Sequence, residues 1–492
     1  MLALPVIISL VVGILLAEAM RRVVAWRWPS AGLQEILTLP RAFEQAKGDD
    51  ARQALLLRTG RITLIYSLFG LALFTGLAAL VYLPSWTLDW SVNQNAAYLV
   101  MVSVVAALWW LLRRAPSAKK EVKGTYGNYS PLQRWLHWLA LEPAVVRHLA
   151  FDLERQFALP KQHSQDLDPS DGAVYVCGLA RSGTTILLRV LDQVAAFKSL
   201  SYRDMPFVLA PNLWRRIVLG NATHAAATER AHGDGILVDF DSPEAFEEVF
   251  WRTFGIQRLS KDSIDVEQPS PEAMANFADY RALVANPKLG SLPRGCDAKR
   301  YLSKNNNNLL RLDALSADPT ATVLLVYRDP LATARSLHRQ HLRYCALQKQ
   351  DTFAQRYMGW LGHYEFGLDH RPFAFASYRM DKSYTPTDLN YWLDYWNAVY
   401  SHVLSQSYLR VHLVNHTVLC AQPTAFLEAL FHVLGVTADI RGLATLLVPS
   451  QNAVVRPDEF AAELVQKALS TYRSLQASNK NLLATFLISQ SP

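Results

Sequence analysis

The feature that most constrains the fold is a stretch, residues 173–192, that combines a strand, a glycine turn and a helix. Residues 173–177 are continuously apolar, which is typical of a buried strand, and the turn Gly178–Thr185 follows. Apolar residues then recur with helical spacing at Ile186, Leu187, Val190 and Leu191. Loop amides and a helix N-terminus that face the same point bind anions. The stretch therefore predicts an α/β fold with a central parallel sheet and a phosphate-binding loop.

This loop departs from the loop of nucleotide hydrolases. The Walker A pattern is GxxxxGK[ST], whereas this chain has GxxxxGTT, with Thr184 where the lysine would stand. A basic residue, Arg181, comes earlier in the loop. Without the lysine, the loop lacks the cation that draws charge on a transferring phosphoryl group. This difference argues against an ATPase or a GTPase.

The string Gly178-Leu-Ala-Arg-Ser-Gly-Thr-Thr185 resembles the 5′-phosphosulfate loop of the PAPS-dependent sulfotransferases. PAPS is 3′-phosphoadenosine-5′-phosphosulfate. The resemblance implies that the 5′-phosphate and the sulfuryl group are held by Arg181, Ser182, Gly183, Thr184 and Thr185. It also implies a P-loop-like three-layer domain and PAPS as co-substrate, with no metal.

A second motif matches the other half of that cofactor site. Thr322–Tyr327 reads as a strand, Arg328 follows it, and Ser336 comes eight residues after Arg328. In the family this pair holds the 3′-phosphate. The chemistry agrees, because an arginine at the carboxyl end of a strand faces the ligand crevice of such folds and its fork fits phosphate.

The residues that act on the acceptor are less well defined by the sequence. Lys304, in Tyr301–Asn306, lies where relatives often have a lysine, and it would stabilise charge in the transition state. The reaction also needs a base that removes the hydroxyl proton. Asp204 is the first candidate, although it could equally cap the next helix; Asp234 is the second and His232 the third.

The N-terminal quarter of the chain has a different composition. Residues 1–134 hold 14 Lys and Arg against 7 Asp and Glu, and the remainder is balanced, which argues against a nucleic-acid binder. Three apolar runs approach the length of about 20 residues that a spanning helix needs. They are Leu2–Ala19, Ile62–Leu83 and Ala96–Leu112. Basic residues in 21–61 and 113–134 would place those segments in the cytoplasm.

These observations predict three domains: a membrane anchor with three transmembrane helices (1–115), a juxtamembrane amphipathic or linker segment (116–171) and a sulfotransferase-like catalytic domain (172–492). The expected protein is an integral membrane sulfotransferase with a cytoplasmic catalytic domain. Its acceptor would be a hydroxyl of a lipid, glycolipid or carbohydrate. A P-loop nucleotide kinase or NTPase and a non-catalytic binding module remain alternatives, and the oligomeric state stays open.

Overall fold

The structure, a computed structural model, divides into two compact units, residues 1–120 and 121–492. All of the residues described below lie in the second unit. They are 129–159, 172–218, 228–229, 237–238, 245–255, 259–285, 299–408, 410–447 and 455–482.

A five-stranded parallel sheet forms the centre of the domain, in the order β2-β6-β1-β7-β9. Its strands are β1 (Ala173–Gly178), β2 (Phe197–Lys198), β6 (Arg300–Lys304), β7 (Thr322–Tyr327) and β9 (Val411–Asn415). Two short pairs lie outside it: β3 (Thr228–Glu229) with β4 (Leu237–Val238), and β5 (Ile264–Asp265) with β8 (Phe373–Ala374). The central strand β1 is flanked by β6 and β7, so the connection that leads from β6 to β7 passes over β1. Ligands of open parallel sheets bind at such a crossing, beyond the carboxyl ends of the strands.

Both faces of the sheet are buried. Successive side chains of a strand point to opposite faces, and all of those in β1 are buried. Tyr175 and Cys177 of β1 belong to one apolar cluster, whereas Val174 and Val176 belong to another. The continuous apolar run that the sequence shows is therefore the signature of a parallel sheet covered on both sides. The α/β fold with a central parallel sheet is confirmed.

Helices cover both faces and connect the strands. Those before β6 are α1 (Pro131–Leu141), α2 (Ala144–Ala158), α3 (Thr184–Asp192), α4 (Pro211–Val218), α5 (Glu248–Phe254) and α6 (Pro271–Ala285). Those after β6 are α7 (Leu312–Ala317), α8 (Pro330–Gln350), α9 (Thr352–Trp360), α10 (Leu389–Ser405), α11 (His416–Ala421), α12 (Pro423–Leu434), α13 (Ile440–Ala444) and α14 (Ala462–Ala477). Short 3-10 turns occur at Tyr202–Asp204, Asn306–Leu310 and Pro457–Glu459.

The segment predicted as an amphipathic linker contains two helices that pack against the domain. Phe151 on α2 is fully buried in the core. Arg147, also buried, donates to the carbonyl oxygens of Leu141 and Glu142 at 2.6 Å each. These carbonyls end α1, so the Arg147 side chain satisfies acceptors that the helix leaves without a partner.

The prediction of three transmembrane helices is corrected by the structure. Within the described residues, no helix combines the length and the apolar character needed to cross a membrane. The longest of them, α8, has 21 residues and carries Arg335, Arg339, Arg343 and Lys349, whose charges would be costly in a bilayer. The assignment as an integral membrane protein with a cytoplasmic catalytic domain is corrected with it. The runs Leu2–Ala19, Ile62–Leu83 and Ala96–Leu112 lie outside the described residues.

Candidate functional site

The loop between β1 and α3 requires glycine at two positions. Gly178 has a φ of +144° and Gly183 a φ of +104°, values that residues with a side chain rarely adopt. Space is also lacking, because a Cβ on Gly178 would lie 2.3 Å from the carbonyl oxygen of Val326. A Cβ on Gly183 would lie 2.0 Å from Cδ2 of His416. Arg181, between the two glycines, has a positive φ of 69°. The loop is thus folded tightly against the ends of β7 and β9.

Hydrogen bonds inside the domain fix this loop. Ser182 is fully buried, and its Oγ donates to the carbonyl oxygen of Leu179 at 2.7 Å. Tyr400 on α10 donates to the carbonyl oxygen of Val326 at 2.9 Å and accepts a hydrogen bond from the Leu179 N–H at 3.4 Å. The Ser182 hydroxyl thus holds the loop from inside, whatever contact it also makes with a ligand.

The two threonines of the loop open α3. Thr184 is buried, and its Oγ1 donates to Oδ1 of Asn306 at 3.5 Å. Thr185 is half-buried. The backbone N–H groups of a helix's first turn have no partner within the helix, so they favour an anion at this end. The loop and α3 together have the donors that a phosphate needs.

The second sequence motif meets the first in space. Asp329 caps α8 by accepting from the N–H of Ala332 at 2.8 Å, and Pro330 opens the helix. This cap places Ser336 two turns along α8, where its Oγ accepts a hydrogen bond from Nε of Arg181 at 3.1 Å. The two residues are 155 positions apart in the chain. Two residues that the resemblance assigns separately, one to a 5′-phosphosulfate loop and one to a 3′-phosphate site, are therefore in direct contact.

Positive charge accumulates beside this contact. Burial lowers the pKa of Arg328, and the nearby charge of Arg181 lowers it further. Burial and the charge of Arg328 also lower the pKa of His416 to about 4. A bound anion would stabilise the neighbouring guanidinium charges of Arg181 and Arg328. His416 was not indicated by the sequence, because it lies in the chain far from both motifs and is brought to the loop by β9.

Lys304 lies at the carboxyl end of β6, next to the loop. It is buried, as are the asparagines that follow it. The backbone N–H of Asn305 continues the sheet by donating to the carbonyl oxygen of Val176 at 3.0 Å. Asn306 donates from Nδ2 to Oε1 of Glu365 at 3.0 Å. Its amide thus joins Glu365 to Thr184 of the loop.

Glu365 and His363 form a pair at this edge of the sheet. Nδ1 of His363 lies 3.3 Å from Oε2 and 3.4 Å from Oε1 of Glu365. Burial alone would raise the pKa of Glu365, but His363 and Lys304 outweigh it and hold the pKa of this carboxyl at about 2. The segment is fastened by Asn307, whose Nδ2 donates to the carbonyl oxygen of Gly362 at 3.0 Å. The sequence did not indicate this pair.

A buried ionic network supports the floor of the site. Arg311, with a fully buried side chain, donates to Glu248 at 2.6 and 3.0 Å and to Glu267 at 2.6 Å. Glu248 also accepts from Nδ2 of Asn305 at 2.7 Å. Glu247 accepts from Trp251 and Asn308 and, through its other oxygen, from Tyr301 and Ser303. The network thus fixes the asparagine turn that follows Lys304.

Asp204, the first candidate for the base, has a fully buried carboxylate. Its Oδ1 lies 2.7 Å from Nε of Arg215, and its Oδ2 accepts from Nη2 of Arg215 at 2.9 Å. Oδ2 also accepts from the backbone N–H of Ser201 at 2.8 Å. These contacts are those of a turn residue that ties the segment after β2 to α4. The other candidates, Asp234 and His232, lie outside the described residues.

The sequence from Ala173 to Pro372 matches the model of the sulfotransferase family. This segment begins with β1 and includes the phosphate loop, Lys304, Arg328 and Ser336. Residues 173–372 belong to the sulfotransferase family. The sulfotransferase match also includes His363 and Glu365, whereas His416 lies beyond it.

Solved sulfotransferase structures share a more distant similarity with this chain. Sulfotransferase STF1 from Mycobacterium tuberculosis is 13% identical, with 68% of this chain and 83% of that chain covered and a TM-score of 0.37. Sulfotransferase STF9 from Mycobacterium avium is 15% identical, with 75% and 89% covered and a TM-score of 0.37. At these TM-scores the assignment to the sulfotransferase family rests on the family model. No curated protein matches the sequence.

Proposed function

We propose that the domain transfers the sulfuryl group of PAPS to a hydroxyl group of its acceptor. The observation that carries this proposal is the hydrogen bond from Arg181 to Ser336, with Arg328 beside it. It unites one loop suited to a phosphosulfate with one strand end suited to a second phosphate. A donor with phosphates at both the 3′ and 5′ positions matches two such half-sites better than a simple nucleoside triphosphate does.

The chemistry of the donor groups fits PAPS. Two glycines let the backbone approach a phosphate closely, and the guanidinium groups of Arg181 and Arg328 are shaped to bind phosphate oxygens. Burial, and then the charge of Arg181, lower the pKa of Arg328, and an anion bound between the two guanidinium groups would stabilise their charges. The loop lacks the lysine of nucleotide hydrolases, because Thr184 stands in its place.

Each residue has a distinct part in the proposed reaction. Arg181 and the amides of the loop and of α3 hold the 5′-phosphate, and Arg328 and Ser336 hold the 3′-phosphate. The ammonium of Lys304, at the end of the neighbouring strand, stabilises negative charge that develops during transfer. PAPS supplies an activated sulfuryl group, and the protein contributes position and electrostatics.

We propose that the acceptor group is a hydroxyl of a lipid, glycolipid or carbohydrate. Nucleic acid is not proposed as an acceptor. A set of these compounds, assayed with radiolabelled PAPS, tests each class.

The experiment that tests the donor is thermal unfolding of the full chain with added nucleotides. The ligands are 3′-phosphoadenosine 5′-phosphate, AMP, and ATP with Mg²⁺, and the variants are Arg328→Ala, Ser336→Ala and, as a control on the exposed side of α8, Arg343→Ala. A ligand that binds only the folded protein raises the melting temperature. We expect the bisphosphate to stabilise the wild type and Arg343→Ala, and to have little effect on Arg328→Ala.

Two other outcomes would overturn the proposal in different ways. Stabilisation by ATP with Mg²⁺ but not by the bisphosphate would indicate a nucleotide kinase or NTPase. Binding of the bisphosphate without turnover of PAPS on any acceptor, including water, would indicate a non-catalytic binding module.

A further inference from the structure

The pair His363–Glu365 lies within reach of the phosphate loop through a short series of contacts. Thr184 of the loop donates to Oδ1 of Asn306 at 3.5 Å, and the amide nitrogen of the same asparagine donates to Glu365 at 3.0 Å. Glu365 in turn lies 3.3 Å from Nδ1 of His363. Two residues, Asn306 and Glu365, therefore connect Thr184 of the loop to the imidazole of His363.

The surroundings of the pair suit proton transfer. The side chain of His363 is 24% exposed, so a bound molecule can approach it, whereas Glu365 is largely enclosed at 12%. The negative charge of Glu365 is secured by His363 and Lys304, which lower the pKa of its carboxyl. A carboxylate beside Nδ1 favours the tautomer with the proton on Nδ1, and Nε2 then has a lone pair available to accept a proton.

By contrast, Asp204, the first candidate for the base, already forms an ion pair and hydrogen bonds within the domain. The carboxylate of Asp204 is fully buried and lies against Arg215 and the Ser201 amide. A base must reach the acceptor hydroxyl directly or through one water molecule. The partly exposed imidazole of His363 meets this requirement better than the enclosed, ion-paired carboxylate of Asp204.

We propose that His363 is the general base of the transfer reaction and that Glu365 is the residue that positions it. This inference rests on the proposed function and adds to it the group that activates the acceptor. It also places the acceptor on the side of the site formed by β6 and the segment that follows α9.

The proposed step conserves atoms and charge. The acceptor oxygen forms a bond to sulfur while its proton moves to Nε2 of His363. The bond between sulfur and the oxygen of the 5′-phosphate breaks, and its electron pair leaves with 3′-phosphoadenosine 5′-phosphate. His363 then returns the proton to water. No oxidant, reductant or metal is needed.

The kinetic test uses His363→Asn and Glu365→Gln in the full chain, with His432→Asn as a control at an exposed histidine on α12. The acceptor is water, measured as release of the bisphosphate from PAPS, and in a second assay a series of phenols of graded acidity. General-base catalysis contributes about 10²- to 10⁴-fold, so we expect a loss of kcat in that range for His363→Asn. We expect a smaller loss for Glu365→Gln and none for His432→Asn.

Binding of 3′-phosphoadenosine 5′-phosphate distinguishes a failure of the proposed base from a failure of the proposed function. His363→Asn should bind the bisphosphate as the wild type does, because the residue lies on the acceptor side. If the wild type itself fails to bind the bisphosphate, the proposed function fails. If binding is normal and His363→Asn retains the wild-type kcat, the assignment of the base is wrong.

A spectroscopic measurement tests the role of Glu365 without turnover. Nitrogen NMR of the full chain, with His363→Asn used to assign the signal, reports which ring nitrogen carries the proton. We expect the Nδ1–H tautomer in the wild type and a shift toward the other tautomer in Glu365→Gln. A wild-type imidazole protonated at Nε2 alone would overturn the proposal, because that nitrogen could not then accept the acceptor's proton.

Discussion

His416 packs its imidazole directly against Gly183, with Cδ2 only 2.0 Å from where a Cβ on that glycine would be. The histidine begins α11, whereas the glycine immediately precedes α3. The contact therefore holds the phosphate loop against the end of β9. It also places a neutral imidazole next to Arg328, because burial, and then the charge of Arg328, lower the pKa of His416 to about 4.

Replacing Gly183 with alanine should damage the phosphate loop. The new Cβ meets an imidazole rather than a flexible chain end, and a φ of +104° is unfavourable for alanine. Strain of this kind costs on the order of 1–3 kcal/mol before the clash is counted. We expect a lower midpoint of urea unfolding and the loss of stabilisation by 3′-phosphoadenosine 5′-phosphate.

Gly435 provides the matched control for this substitution. Its φ is +64°, but nothing lies within 4 Å of a Cβ built on it. Gly435→Ala should therefore cost only the roughly 1–2 kcal/mol of a left-handed alanine and leave ligand binding intact. Equal behaviour of the two variants would show that the contact with His416 is unimportant.

Asp204→Asn should lower stability more than it lowers activity. The substitution removes the charge that pairs with Arg215, whose side chain remains 30% exposed and can recover solvent. We expect a loss of about 1–3 kcal/mol in the free energy of unfolding, with kcat nearly unchanged for the molecules that remain folded. Asp313→Asn, at an exposed position of α7, should alter neither quantity. A large fall in kcat at normal stability would instead restore Asp204 as the base.

Arg311→Met should strongly destabilise the domain. It leaves Glu248 and Glu267, both buried, without the guanidinium that neutralises them. Removing one partner from a buried ion pair costs about 3–5 kcal/mol. Arg311→Lys retains the charge but not the two-pronged geometry, so its free energy of unfolding should be intermediate. Denaturant titration followed by far-UV circular dichroism measures both, and a wild-type stability of Arg311→Met would contradict the assigned role of the network.

The stability of the domain should fall as the pH drops from 6.5 toward 5, in part because of His341. Burial, and then the charge of His338, lower the pKa of His341 to about 4. The unfolded chain takes up this proton near the ordinary pKa of 6.5, so acid favours unfolding between the two values. The contribution approaches about 1.4 kcal/mol per pH unit within that window.

His341→Leu isolates this contribution. We expect the dependence of the unfolding free energy on pH to become shallower by up to one proton between pH 6.5 and 5, whatever the change in absolute stability. An unchanged slope would mean that the folded protein already carries the charge on His341.

The two motifs assigned to the donor could be recognised in the sequence because each of them is local. Gly178, Arg181 and Gly183 lie in one continuous string, and Arg328 and Ser336 belong to one strand–helix unit. Their roles were implied by the resemblance to the PAPS-dependent sulfotransferases, and the rule that parallel strands end at a common edge explains why the two motifs meet. The structure adds that Ser182 is used to fix the loop from inside.

The acceptor side was not predictable in the same way. His363 and Glu365 occur in a loop without a recognisable motif, and the contact of Glu365 with Asn306 joins residues 59 positions apart in the chain. Asp204 was the first candidate because several members of the family that the sequence resembles carry an acidic base at this place, yet its pairing with Arg215 depends on how α4 packs. The transmembrane prediction depended on composition alone, and long-range contacts had no part in it.

The N–H of Asn305 donates to Val176 in the strand that leads to the phosphate loop, while the side chain of the same residue binds Glu248. Lys304, which precedes Asn305, and the strand that leads to the loop are thus joined by the continuous hydrogen bonding of β6 and β1. Alignment of the two reactants is a property of strand register, set when the sheet folds. Acceptors of different shape must then be accommodated by the segments around the sheet, since the strands cannot shift without breaking the hydrogen bonds between them.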